Sequence, residues 1–352
     1  MNINEINENS RRILIDVAQL YEAYLAVDSE FRSYRGSMRW KKVNGKEYLF
    51  RQRNSRGDGK SLGARDAHTQ EIYDNFHARK AELGERRKSL LDRLTQQRGF
   101  CIAAGINRVP KIAADVARSI RLVKTGSHPL IVVGTSALFA YENMAGVHLE
   151  PALLASEDID LMWDVKRKLN LAVVEPVGGL LSLLKKADRT FERMPNAPYR
   201  AANAKGYMVD LIKPAPAQSH KTTRVSFTGH KHDLVAVEIH NLDWLYAAPV
   251  VSATVIGNDG LPVVFDVPDP RAFAAHKLWL SALPNRSPVK KVRDRRQGIV
   301  MLQLLKAYLH DYPPDSDALR GLPQSLRDNL QSEFDRVVIE PQKQTPIPAP
   351  GF

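Results

Sequence analysis

Three aspartates carry the chemistry this sequence can be read for. Asp158 and Asp160 stand two apart in SEDIDLMWD, and Asp210 interrupts the apolar segment YMVDLIKP. Side chains two apart on a strand project from one face, so Asp158 and Asp160 are expected side by side, with Ile159 and Leu161 turned to the core. Neighbouring carboxylates repel each other, and a divalent cation bound between them relieves that repulsion. A third carboxylate on an adjacent strand completes a site for two Mg2+ (or Mn2+) ions roughly 3.5 to 4 Å apart, able to align a triphosphate with an attacking hydroxyl. A charged sheet edge would account for any one of these residues, but less well for all three in order.

Ahead of them, an apolar run ends in Gly134-Thr135-Ser136 and a helical segment, SALFAYENM, follows. A strand entering a small-residue turn and a helix puts backbone N–H groups and a hydroxyl where phosphate oxygens can sit. The same three residues also suit a plain helix N-cap.

The elements that must position these groups fall into three regions, with a tail. Residues 1–125 read as an accessory region. It contains an amphipathic helix in ILIDVAQLYEAYL, a hairpin turning at Asn44-Gly45, a Gly-rich connection RGDGKSLGARD, a charged helix from about Ala67 to Gln97, and another from about Pro110 to Lys124. Residues 126–267 alternate short strands (LIVVG, IDLMW, LAVVE, YMVDLI, LVAVEIH, VVSATVI, PVVFDV) with helices (SALFAYENM, GGLLSLLKKA), a mixed α/β pattern. Residues 268–335 are helical again, and 336–352 form a Pro-rich tail expected to be disordered. The fold class expected is α/β (α+β), a mixed-sheet core flanked by helical regions.

Composition narrows the partners. The chain has 352 residues and a formal net charge of +12, and from Arg32 to Arg65 it carries eleven basic residues against two acidic ones. Arg39, Lys41, Lys42, Lys46, Arg51 and Arg53, interleaved with Trp40, Tyr48 and Phe50, form the segment a phosphate backbone would attract. A solvated hairpin face with core aromatics is the competing reading. No stretch reaches the roughly 20 apolar residues of a membrane-spanning helix, and the start MNINEINENS lacks a signal peptide's features, so a cytoplasmic location and no membrane partner are expected. The single cysteine, Cys101, sits among Phe100, Ile102 and Ala103 and reads as a core thiol.

Taken in order, Gly134-Thr135-Ser136, a helix, Asp158-Ile159-Asp160 and Asp210 resemble the polymerase β-type nucleotidyltransferase superfamily. GTSALFAYENMAGVHLE with SEDIDLMWD is similar, more narrowly, to a bacterial nucleotidyltransferase-like family. WKKVNGKEYLFRQR and KSLGARD upstream, and FAAHKLWLSA and RDRRQG downstream, extend the likeness over most of residues 32–305. The resemblance implies that Gly134 and Ser136 hold a triphosphate, that Asp158 and Asp160 bind metal, and that Asp210 ligates metal and activates an acceptor hydroxyl as base. Similarity to the AbiEii and MenT group of toxin nucleotidyltransferases implies that Lys277 and the Arg293-Asp294 pair complete a nucleotide pocket. The stretch between Ser136 and Asp158 is longer than in minimal members, making GVHLEPALLAS an insertion, and Thr135 stands where many relatives have glycine.

The expected activity is transfer of a nucleoside monophosphate from an NTP to a hydroxyl acceptor. RNA, for example a tRNA end, is the acceptor the basic segment favours. A toxin or defence role with a cognate antitoxin is implied by the resemblance alone. The alternatives are modification of a protein hydroxyl, or a non-catalytic protein that binds nucleotide or nucleic acid. Lys277 could equally snorkel among apolar neighbours, and Asp294 could form an ordinary surface ion pair. Of the remaining polar residues, His220, His230 and His232 read as a polar loop, Glu238 as a further carboxylate on a sheet face, and Glu142 as support for packing or a nearby cation. Asp164 and Asp188 have no constellation around them.

Overall fold

A computed structural model describes residues 3–52, 59–121, 130–163, 179–215, 227 and 231–339. In chain order the elements begin with β1 (Asn4–Glu5), α1 (Glu8–Ser33), β2 (Ser37–Val43), β3 (Lys46–Gln52), β4 (Gly59–Ala64), α2 (Ala67–Ala103) and α3 (Lys111–Arg121). There follow β5 (Leu130–Val133), α4 (Leu138–Ala145), β6 (Val147–His148), α5 (Pro151–Leu154), β7 (Asp158–Trp163) and α6 (Gly179–Ala187). The rest are β8 (Glu192–Met194), β9 (Ala197–Ala202), β10 (Met208–Pro214), β11 (Val237–Ile239), α7 (Asp243–Ala247), β12 (Val250–Ile256), β13 (Pro262–Pro268), α8 (Pro270–Ala282), α9 (Pro288–Ala307) and α10 (Gln324–Arg336). The LAVVE segment and residues 340–352 of the tail lie outside the described residues.

The chain divides into two compact units, one made of Met1–Ile6, Val109–Val255 and Val263–Phe352, the other of Asn7–Arg108 and Ile256–Pro262. In the first unit a mixed sheet runs β5-β7-β10-β9-β8, with β11 also beside β10. The pairs β7–β10 and β10–β11 are parallel, and β5–β7, β10–β9 and β9–β8 are antiparallel. Strand alternation sets one face: Ile159, Leu161, Val209 and Leu211 are buried in a core shared with α3, α4 and α6. Helix α3, grouped by sequence with the accessory region, packs on α6 in this unit.

Helix α8 starts at Asp269, whose side chain accepts the Arg271 N–H at 2.9 Å, with Pro270 fixing the first turn. Helix α9 starts similarly, with Ser287 as cap and Pro288 following. The two helices meet at Gly298, where a Cβ would lie 2.8 Å from Leu278 Cδ2. That close approach, one turn beyond Asp294 and beside Lys277, brings a buried acid and a buried base together.

In the second unit α1 and α2 pack lengthwise, joined by Asp28, which accepts from Arg32 at 2.6 Å and Arg87 at 2.6 Å. Helix α2 opens with a reciprocal cap between Asp66 and Thr69 and runs to Ala103, beyond the expected end at Gln97. A three-stranded sheet, β2-β3-β4, rests on it through Met38, Leu49 and Phe76. Strand β4 is a difference from the sequence reading, which made this stretch a Gly-rich connection. Its residues are mostly exposed and show no apolar alternation, and only pairing with β3 makes it a strand. The turn between β12 and β13 belongs to this unit. Arg98 Nε donates to Asp259 O at 2.6 Å, Asn107 Nδ2 donates to Asn258 O at 3.2 Å, and a Cβ on Gly260 would meet Arg98 O at 2.7 Å.

Candidate active site

One row of residues crosses the sheet of the first unit. Val133 on β5 stands opposite Asp160 on β7, Asp160 opposite Asp210 on β10, and Asp210 opposite Arg200 on β9. Asp158 lies two residues before Asp160 and opposite Met208. The three expected carboxylates are therefore gathered on two parallel, hydrogen-bonded strands, on the face opposite buried Ile159 and Val209.

The turn at the end of β5 closes over them. Gly134 has φ of +66°, and a Cβ there would lie 2.2 Å from Asp160 Oδ2. Glycine is required twice over, for the left-handed backbone and for the carboxylate's approach. Ser136 Oγ donates to Asp158 O at 3.2 Å, tying the turn to the start of β7. Thr135 faces the other way: its hydroxyl accepts from Gln297 Nε2 on α9 at 3.3 Å, and the same amide donates to Leu153 O at 2.9 Å.

Electrostatically the cluster is strained. Burial, and then the charges of Asp158 and Asp210, push the Asp160 carboxyl up to about 7, while Lys277 and Arg200 pull it back. Burial, with Asp158 and Asp160 adding to it, also raises the Tyr207 phenol above its ordinary value. Asp210, 7% exposed, is held by Arg200 through two parallel bonds, Nε to Oδ1 at 2.7 Å and Nη2 to Oδ2 at 2.6 Å. Asp158 takes a bond from the Ser156 hydroxyl.

Lys277 and Asp294 form a second buried group. Lys277 Nζ lies 3.1 Å from Asp294 Oδ1, and Arg286 donates to Asp294 Oδ2 at 2.8 Å. Asp294 is 0% exposed, which removes the surface-pair alternative, and Lys277 at 3% does not snorkel to solvent. Burial pulls the Lys277 ammonium below its ordinary value, opposed chiefly by Asp294, with Asp160 close enough to add a smaller opposing effect. Its neighbour His276 is driven down to about 3 by burial and then by the charge of Lys277, so it stays neutral at ordinary pH.

The basic residues in the second unit separate. Arg39, Lys41 and Lys46 lie on the sheet face away from α2, whereas Lys42 and Arg51 lie on the face with Met38 and Leu49. The Arg51 guanidinium stacks 4.5 Å from the Phe76 centroid and donates to the Ser33, Ser37 and Gln52 carbonyls, a set of contacts that holds the sheet to the helices. Arg53 lies outside the described residues, as do Asp164, His220 and His230.

The lesser candidates have structural partners or none of chemical interest. The Glu142 carboxylate accepts the Leu149 N–H at 2.8 Å. Glu238 pairs with Lys213 at 3.1 Å. Asp188 accepts from Thr190 and Asn203, and His232 is exposed. Buried Cys101 has its thiol pushed up to about 11 by burial, as fits an inert core thiol.

The chain matches a family described as Nucleotidyltransferase over residues 112–318, more than half its length, and it belongs to that family. Searches of curated proteins and of solved structures gave no match. Nucleotidyl transfer is the chemistry of the family, and the matched stretch contains the turn, the three aspartates, Lys277 and Asp294. Among the described residues no helix is long and apolar enough to cross a membrane.

Proposed function

We propose that this chain moves a nucleoside monophosphate from an NTP to a hydroxyl acceptor, with divalent cations held by Asp158, Asp160 and Asp210. The observation that carries the reading is the strand register, which sets Asp210 opposite Asp160 and Asp158 on the same face. The donor set suits hard cations, since it offers carboxylate oxygens alone, and the raised Asp160 carboxyl marks a cluster short of positive charge. As the side chains stand, no three His, Cys, Asp or Glu groups among the described residues converge on one point. Both oxygens of Asp210 are turned to Arg200, so a cation loading the site competes with that guanidinium for them.

Bound divalent cations would supply charge neutralisation on the phosphates and a lowered barrier to attack at the α-phosphorus. The chain's own residues do the rest. The Gly134–Ser136 backbone presents its N–H groups to the triphosphate, and Lys277, oriented by Asp294, offsets phosphate charge from the helical side. Asp210 accepts the proton of the attacking hydroxyl at a carboxylate oxygen.

RNA is the acceptor this reading favours, supported by the basic residues between Arg32 and Arg65. The test is incubation with Mg2+, each α-labelled NTP in turn and total RNA, beside an Asp158→Ala/Asp160→Ala control. Label entering RNA only with the unaltered protein supports the proposal. No label in RNA or protein, with NTP binding retained, removes it.

A further inference from the structure

In the second unit, the pairing of β2 with β3 sorts side chains into two faces. Toward α2 lie Met38, Trp40 and Leu49, which form its core with Phe76. On the opposite face two cations stand across from aromatic rings: Arg39 pairs with Phe50 and Lys41 with Tyr48. Lys46 extends the row toward the turn. Arg39, Lys41 and Lys46 are exposed and the two rings are half-buried. The acidic residue of these two strands, Glu47, is on the other face, where it pairs with Arg65 at 2.7 Å.

From this arrangement we infer that the outer face of the β2–β3–β4 sheet is a platform for single-stranded nucleic acid, with bases stacked on Tyr48 and Phe50 and phosphates held by Arg39, Lys41 and Lys46. The rings are two residues apart on one strand, about 7 Å, which gives each base a ring of its own. Stacking on aromatic faces tolerates any base, and flanking cations track the backbone. The Lys41 ammonium lies 4.7 Å from the Phe50 centroid, so an arriving base replaces a cation–π contact and frees that lysine for phosphate. A duplex offers stacked, inaccessible bases and would use the cations alone. An anionic membrane would also meet the cations but has no planar bases to stack on the two rings. The inference deepens the acceptor named above, and rests on that reading only in treating the bound strand as a substrate.

The experiment is fluorescence anisotropy with labelled twelve-nucleotide RNA and DNA single strands and the matching duplex, in EDTA without NTP, beside sedimentation with vesicles containing phosphatidylserine. Expected is binding of single strands above duplex, weakened about ten-fold by Tyr48→Ala and again by Phe50→Ala. Arg39→Gln and Lys41→Gln should each lower the dependence on salt, while Lys42→Gln on the other face leaves it unchanged. Because Phe50 is half-buried, Tyr48→Leu, which keeps apolar bulk without the ring, provides the stacking test in a folded protein. Equal or tighter binding of duplex, single-strand binding that Tyr48→Leu leaves intact, capture by vesicles alone, or no nucleic-acid binding would each overturn the inference. Since no nucleotide is present, these outcomes are separate from the labelling experiment, which can fail while strand binding persists.

Discussion

Replacing Asp160 with asparagine is expected to stabilise the ligand-free protein. The folded carboxyl sits at about 7, above its ordinary 3.8. Below 3.8 both folded and unfolded chains hold the proton and nothing is lost. As pH rises from there, the unfolded chain gives up its proton first, so native stability falls, and the penalty is complete above about 7. At 1.36 kcal/mol for each tenfold step, the full penalty is on the order of 4 kcal/mol. Asparagine stays polar and buried, so a recovery of about 2 kcal/mol is the reasonable expectation, or roughly 4–8 °C in Tm for a unit of this size. Calorimetry or thermal-shift melting in EDTA at pH 8 and pH 5 would measure it. The gain should be larger at pH 8, and Mg2+ should raise the Tm of the unaltered protein more than that of the variant. An Asp160→Asn protein that melts at or below the unaltered one at pH 8, or a gain equal at both pH values, would refute the electrostatic reasoning.

Other substitutions probe the supporting residues. Arg200→Ala should lower the Mg2+ concentration needed for half-maximal binding, because it removes the cation already on Asp210, at a stability cost of about 1–2 kcal/mol given that Arg200 is partly exposed; metal titration by calorimetry reads this directly. Gly134→Ala should abolish transfer and lower the Tm, as it forces a Cβ against Asp160, and full activity would contradict the close approach. Asp294→Ala leaves buried Lys277 and part-buried Arg286 uncompensated and should cost about 3–5 kcal/mol in urea unfolding. Lys277→Met with Asp294→Leu should recover much of that stability while leaving transfer at least a hundred-fold down, separating the packing role of the pair from the nucleotide contact proposed for it.

Local pattern was enough for some of this site and useless for the rest. Asp158, Asp160 and Gly134 declare themselves because a strand's period of two and a glycine-led turn are short-range signals. Asp210 is visible as a charge inside an apolar strand, yet only the resemblance indicates that its strand lies beside β7. Arg200 is invisible: APYRAA has no apolar alternation, and its guanidinium matters only because β9 pairs with β10 in one register. Gln297 reads as an ordinary helical amide until α9 packs against the Gly134–Ser136 turn, although its place three residues after Asp294 puts it on the same helical face. Tyr207 merges with the apolar letters of YMVDLI. Likeness implies one pocket for Lys277 and the Arg293-Asp294 pair but not the contact between Lys277 and Asp294, whose physical cause, helices brought together at Gly298, is a tertiary fact.

The interleaving of the two units sets an order of events during synthesis. The loop that Arg98 and Asn107 hold, Asn258 to Gly260, follows Arg98 by 161 residues to Asp259. At a translation rate of roughly 5–20 residues per second, helix α2 leaves the ribosome about ten to thirty seconds before that loop exists. Through that interval the C-terminal turns of α2 have α1 to pack on but lack the two carbonyls that Arg98 and Asn107 later bind. A fragment beginning at Val109 would keep β7 and β10 but lose β1 from its pairing with β6 and leave the β12–β13 tip without Arg98 and Asn107.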